Sequence, residues 1–241
     1  ILINTLQFGN ASIEYIDVVD SIGYVASQEG FYILNLSDIS QPEILSEMHN
    51  LNTWSVQVEN GLAYIPARYY ATNESAALLI VDVSNPIDPI IVSATDLDAN
   101  NAVVDIDIYG SYCYITENNR GVGIFDVSDP ANPQLAAQIS GYWGYRVEVS
   151  NDTLHLASSS DGYYSFNVND PTNPILIGHY KTSGYNNSVY VHNDTVYSAQ
   201  YDRGLEIIDF SQPDQPVLIG EIDSLNISHV MGFGDYIYNP Y

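Results

Sequence analysis

The stretch Ala77–Ser93, ALLIVDVSNPIDPIIVS, constrains this chain more than any other, because the rest can be laid out around copies of it. An apolar, β-branched run leads into Asp-Val-Ser, then two prolines three apart, then a second apolar run. The pattern returns as Phe31–Glu47, Val122–Gln138, Tyr164–His179 and Leu205–Glu221. Aligned on the second proline, the copies place Pro42, Pro89, Pro133, Pro174 and Pro216 at spacings of 47, 44, 41 and 42 residues. A period in the forties, built only from short strands and turns, is the signature of a β-propeller or a related array.

The physics of the unit is local. Runs such as Ile80-Val81 and Ile207-Ile208 make a buried strand, because β-branched residues fit a pleated surface. The Asp or Asn that follows (Asn35, Asp82, Asp126, Asn167, Asp209) accepts hydrogen bonds from backbone two residues on and turns the chain. The prolines cannot donate to a ladder and hold the connection out of the sheet. A second strand then begins, so the motif is a strand–turn–strand brace. It explains the shape of a blade without any chemistry.

Between the braces lies a second repeated pair of strands, at Glu14–Ala26, Trp54–Pro66, Val104–Thr116, Tyr145–Ala157, Asn187–Ala199 and Ser228–Pro240. Each alternates apolar and polar residues, turns through polar residues such as Asn151-Asp152, and continues into a tyrosine-rich strand. Those are hairpin signals. No segment shows helical periodicity or caps. One blade therefore reads as strands a and b (the hairpin), c (the Ile-Val-Asp run) and d (after the prolines). The expectation is an all-β, six-bladed propeller of four-stranded antiparallel blades spanning 1–241 as one domain. Val56, Val58, Ile106, Ile108, Val147, Val149, Val189 and Val191 form its predicted inner core. The sixth blade is shared by the termini: Ile1–Gln7 supplies strand d and Ser228–Asn239 supplies a and b. Its strand c is expected from outside the sequence, from a continuation of the same polypeptide or from another copy donating a strand; a three-stranded blade in a monomer is the alternative.

The segments IVDVSNPIDP and IFDVSDPANP resemble the core of the LVIVD repeat, and the resemblance extends over the whole chain. It implies a propeller that is secreted or attached to a cell surface, and it brings no general activity with it. The first and fourth copies depart from it with Asn35 and Asn167 in place of Asp, and the first has Ile39 where the others have proline.

Charge narrows the partners. Thirty acidic residues stand against five basic ones, for a net charge of −25. Such a chain repels phosphate backbones and anionic lipid surfaces, which argues against nucleic acid. No run approaches the roughly 18 apolar residues of a membrane span, so membrane insertion is not expected. The sequence starts at Ile1 without a signal peptide and reads as a mature form or a fragment. The single cysteine, Cys113, is expected in a buried strand as a small apolar residue.

Candidate chemistry is sparse. All five basic residues map to the loops of one face, joining d to a and b to c. Arg68, Arg120 and Arg203 fall in b-to-c loops, Lys181 in a d-to-a loop, and Arg146 at the start of a strand a. With Trp54, Tyr70, Tyr142 and Trp143 they form a candidate surface for sugars or peptides, since aromatics with Arg make binding hot spots. The alternative is ordinary surface pairing of Arg with nearby acids. Asp96, Asp98 and Asn100 resemble the opening of a calcium loop, although Asn101 stands where glycine is expected; a solvated acidic loop is the alternative. The five histidines are scattered without metal-binding or protease spacing, and no cofactor is implied. Asn-x-Ser/Thr acceptors occur at Asn35, inside a turn brace, and at Asn10, Asn73, Asn151, Asn186, Asn193 and Asn226, all six expected in loops. That exceeds the about three that chance gives and points to glycosylation; chance enrichment in a chain rich in Ser and Asn is the alternative.

The sequence thus reads as an extracellular or cell-surface structural or adhesive propeller, a building block of a surface layer, filament or larger secreted protein, and not an enzyme. A carbohydrate- or peptide-binding module is the second reading. An extracellular hydrolase or lyase is the third.

Overall fold

The computed structural model describes residues 12–69, 75–97, 103–223, 226–233 and 236–239. They form 23 strands and, among the described residues, no helix. The chain divides into two compact units, one of Ile1–Ile108 with Val127–Gln134 and one of Tyr109–Asp126 with Leu135–Tyr241.

The first unit begins with β1 (Ile13–Val19), β2 (Ile22–Ser27), β3 (Gly30–Asn35) and β4 (Glu43–His49), paired in that order as an antiparallel sheet. The next repeat has its inner strand broken in two. β5 (Leu51–Thr53) and β6 (Gln57–Glu59) both pair with β7 (Leu62–Tyr69), followed by β8 (Ser75–Asp82) and β9 (Ile90–Asp96). A further sheet has the order β10 (Val103–Tyr109), β11 (Tyr112–Glu117), β12 (Gly121–Asp126) and β13 (Gln134–Ile139).

The second unit continues with two sheets of the same order. One is β14 (Arg146–Ser150), β15 (Thr153–Ser158), β16 (Gly162–Asn167) and β17 (Ile175–Tyr180). The other is β18 (Asn186–His192), β19 (Thr195–Gln200), β20 (Gly204–Asp209) and β21 (Val217–Ile222). A hairpin of β22 (Met231–Phe233) and β23 (Tyr236–Tyr238) follows. It is the a–b pair expected near the C-terminus, whereas the matching strand d at Ile1–Gln7 lies outside the described residues.

The turn braces form as their residue types dictate. The side-chain oxygen of Asn35 accepts from Ser37 N–H (3.0 Å) and Oγ (2.7 Å). Asp82 accepts the same pair from Ser84 at 2.9 and 2.6 Å. Asn167 and Asp209 each accept one backbone bond two residues on. These bonds favour the carboxylate and hold Asp82 and Asp209 below the usual aspartate range.

Within each unit, consecutive inner strands are latched by side chains. Val58 N–H donates to Asp17 Oδ2 (2.7 Å) and Ile108 N–H to Gln57 Oε1 (2.6 Å) in the first unit. Val191 N–H donates to Glu148 Oε2 (3.0 Å) in the second. Each acceptor is the polar residue between the two aliphatics of its strand. Of the predicted core set, Val56, Ile106, Val147, Val149 and Val189 are buried, while Val58, Ile108 and Val191 are half-buried. Cys113 is buried, as expected.

Candidate functional site

In the second unit the loops joining β11 to β12, β13 to β14, β15 to β16, β17 to β18 and β19 to β20 are stitched to one another or to a neighbouring strand by backbone and side-chain bonds. Gly144 N–H donates to Asn118 O at 3.0 Å, Tyr145 N–H to Ala157 O at 3.0 Å, and Tyr201 N–H to Tyr185 O at 3.0 Å. Loop 181–185 is held from below by polar side chains. Buried Glu206 accepts from Ser183 N–H (3.0 Å) and from Gln200 Nε2 (3.0 Å), and Asp202 accepts from Tyr185 N–H (3.0 Å). A shallow cavity of ≈ 170 Å³ beside this loop is lined by Ser160, Lys181, Thr182, Ser183, Gly184, Tyr185 and Asp202.

The predicted basic and aromatic residues separate on this frame. Arg120 lies 3.1 Å from the carboxylate of buried Glu117 and serves as its ion-pair partner, so it differs from the exposed surface pairing weighed from sequence. Lys181 donates to Ser160 O and lies 4.0 Å from Asp161. Arg203 is exposed and Arg146 opens β14 half-buried. Tyr142 is not a free platform, because its ring packs edge-on against Tyr164 (4.6 Å) and Phe166 (5.3 Å). Trp143 stands 49% exposed, and with it Tyr185 at 54% and Tyr201 at 56%. In the first unit Trp54 is half-buried, in the break between β5 and β6. Arg68 corrects the expectation of a loop: it is exposed but lies within β7, opposite Ala76, because the ladder runs on to Tyr69 and Ser75. Tyr70 lies outside the described residues.

Two other candidate sets are described only in part. Asp96 is the exposed last residue of β9, while Asp98 and Asn100 lie outside the described residues. No three metal-ligating side chains gather among the described residues. Of the glycosylation acceptors, Asn151, Asn193 and Asn226 are exposed, the first two in tight turns with φ of 49° and 53°. Asn186 is a correction: it opens β18, is fully buried, and its side-chain nitrogen donates to Gly162 O (3.1 Å), so the atom that would carry a sugar is occupied. Asn10 and Asn73 lie outside the described residues.

Sequence reasoning missed a polar cluster inside the sheet β14–β17. His155 and Tyr163 are buried and joined by a hydrogen bond between Nδ1 and the phenol. Buried Ser165 lies directly across from His155 in the ladder. Burial alone pushes His155 down to about 4, so it is uncharged at neutral pH, and burial also raises Tyr163 well above the usual phenol range.

A profile of the LVIVD repeat matches residues 51–96, 102–140 and 183–224, together just over half of the chain. Among curated proteins none matches the sequence. Solved structures share the fold at low identity, and they are propeller-like. The computationally designed Ika8 protein is 7% identical with a TM-score of 0.73, covering 96% of this chain and 69% of its own. A protein of unknown function from Desulfotomaculum acetoxidans is 10% identical with a TM-score of 0.74, covering 90% and 72%. A putative 6-phosphogluconolactonase from Bacteroides fragilis is 9% identical with a TM-score of 0.76, covering 89% and 71%. At such identities the likeness is one of fold.

Proposed function

The chain belongs to the LVIVD repeat family, and from that premise we propose that it is a six-bladed, extracellular β-propeller with a structural or adhesive role rather than a catalytic one. Six repeated a–b hairpins support the blade number. The exposed acceptors Asn151, Asn193 and Asn226 fit a glycosylated, extracellular protein.

One observation carries the structural reading: the outer strand of each repeat exposes apolar side chains at the same place. Ile44 in β4, Ile90 and Ile91 in β9, Leu135 in β13, Ile175 and Leu176 in β17, and Val217 and Leu218 in β21 are all exposed. A scattered exposed apolar residue means little. Here the exposure recurs with the repeat, at the start of strands that end their sheets. An apolar last strand is a template for another chain. Two copies, each of net charge −25, repel one another at low salt, and screening removes the repulsion. Assembly through these strands, or through a strand lent to the sixth blade, links copies into a layer or filament.

Sedimentation of the purified chain between about 0.02 and 1 M salt tests this, a range over which the screening length falls from beyond 10 Å to about 3 Å. Association that grows with salt, and is lost when Ile175, Leu176, Val217 and Leu218 are replaced by serine, is the expected outcome. A monomer at every salt concentration would sink the structural reading. In that case the second reading, a carbohydrate- or peptide-binding module, gains from the exposed side chains of Trp143, Tyr185, Tyr201, Lys181 and Arg203, and arrayed glycans decide it.

A further inference from the structure

The repeats provide an internal control for the polar cluster of β14–β17. In four of the five four-strand repeats, a tyrosine on strand b faces an isoleucine on strand c: Tyr24 and Ile33, Tyr64 and Ile80, Tyr114 and Ile124, Tyr197 and Ile207. In the fourth repeat the same ladder position holds His155 and Ser165. Both replacements are smaller and more polar. One step along, where the other repeats place Phe31, Leu78, Val122 and Leu205, the fourth places Tyr163.

The lost volume is left as space. A cavity of ≈ 110 Å³ opens here, with His155, Ser165 and Phe210 on its inner wall and Asn151, Asn193 and Asp194 among the residues around it. Ser165 Oγ, next to the Tyr163 hydroxyl, makes no well-aligned hydrogen bond although it is 1% exposed. A buried hydroxyl with no well-aligned partner costs stability, and a cavity costs more. The other repeats avoid both with an isoleucine. A ligand that fills the space and bonds the hydroxyl removes both costs.

We propose that this cavity is a binding site for a small uncharged polyol of about the size of glycerol. The size follows from the volume, since a dry cavity of about 150 Å³ takes one benzene. The polarity follows from Ser165 and His155, which offer a hydroxyl and an imidazole ring. An anion is disfavoured, because the histidine is neutral, Asp194 is among the lining residues, and no Lys or Arg is. A Ser–His–acid hydrolytic triad is not the reading. His155 Nδ1, the nitrogen that an acid would hold in a triad, is bonded to the Tyr163 hydroxyl instead.

The test is an NMR titration of the isotope-labelled chain with glycerol, then with benzene as the apolar probe. Saturable shifts at Thr153, Ser165, Val191 and Phe210 with glycerol, and weaker ones with benzene, are expected. Ser165→Ala keeps the space and removes the hydroxyl, and it weakens glycerol binding by about three- to tenfold, the worth of one net hydrogen bond. The double change His155→Tyr with Ser165→Ile, which restores the residues of the other repeats, abolishes the shifts. No saturable shift with glycerol, meaning water alone fills the space, would overturn the proposal. So would tighter binding of benzene, or a Ser165→Ala variant that binds glycerol as well as the natural chain. The Ser165→Ala comparison stands even if the double variant does not fold.

Discussion

Strands β7–β8 of the first unit and β15–β16 of the second share one ladder register and differ in what that register hides. Tyr64 faces Ile80 in the first pair and His155 faces Ser165 in the second. Leu78, Leu79 and Ile80 are fully buried and apolar. In β15–β16 a histidine, a tyrosine and a serine are equally buried, beside open space. The difference teaches that the brace and the ladder set the backbone of a repeat, while its interior is free to vary. Backbone bonds are made whichever side chains point inward. A repeat whose neighbours are apolar can therefore carry a polar pocket without changing its outline.

The largest test of this comparison is paired. Ile80→Ala removes a fully buried side chain and costs about 4 kcal/mol in urea unfolding. Ser165→Ala, at the equivalent position, stays within about 1 kcal/mol, because the hydroxyl it removes has no well-aligned partner. Equal costs would show that the two interiors are packed alike.

The next is pH. His155 titrates at about 4 in the folded chain against 6.5 in the unfolded one. The stability tied to its neutral form is complete above pH 6.5, is lost as pH falls from 6.5 to 4, and changes no further below. The full loss is roughly 3 kcal/mol. It is read as the difference between the natural chain and His155→Tyr, which carries the residue of the other repeats. Parallel curves for the two would show that His155 is solvated.

The smallest is Gly178→Ser. Ser46 and Ser93 hold this position in the first two repeats, where their hydroxyls donate to the carbonyls of Pro86 and Pro130. At Gly178 a Cβ would run into Pro213 O and come within 2.6 Å of Ser165 Oγ. The serine that suits two repeats therefore costs about 2 kcal/mol in the fourth by overpacking. A neutral change would show that the repeats are interchangeable at this position.

Much of the fold was legible because its signals are local. The Asp-x-Ser brace satisfies its own oxygens within two residues, and hairpin alternation needs only neighbours, so β1–β2, β18–β19 and the β22–β23 pair were all readable. Asn186 and Arg68 were misplaced because the ladder extends a residue or two past the alternating run, and only pairing sets where it stops. The aromatic loops were visible as residue types. What could not be read was that Tyr142 folds back onto Tyr164 while Trp143 faces out, since that depends on packing between sheets. The His155 cluster had a sequence signal that went unused: down the aligned copies, one position reads Tyr, Tyr, Tyr, His, Tyr, and its ladder partner Ile, Ile, Ile, Ser, Ile.

The inner-strand latches have a direction in time. In each, the accepting side chain belongs to the earlier strand and the donating amide to the later one: Asp17 precedes Val58, Gln57 precedes Ile108 and Glu148 precedes Val191. During synthesis the acceptor is made first, and its donor follows 41 to 51 residues behind. At about 5–20 residues per second that interval is roughly 2 to 10 s. Burial raises the pKa of Asp17 and the bond from Val58 opposes that rise, so until its donor is made this carboxylate keeps its bonds to water. In these three pairs the growing chain carries an inner strand whose acceptor stays unfilled until the next repeat is made and seals it.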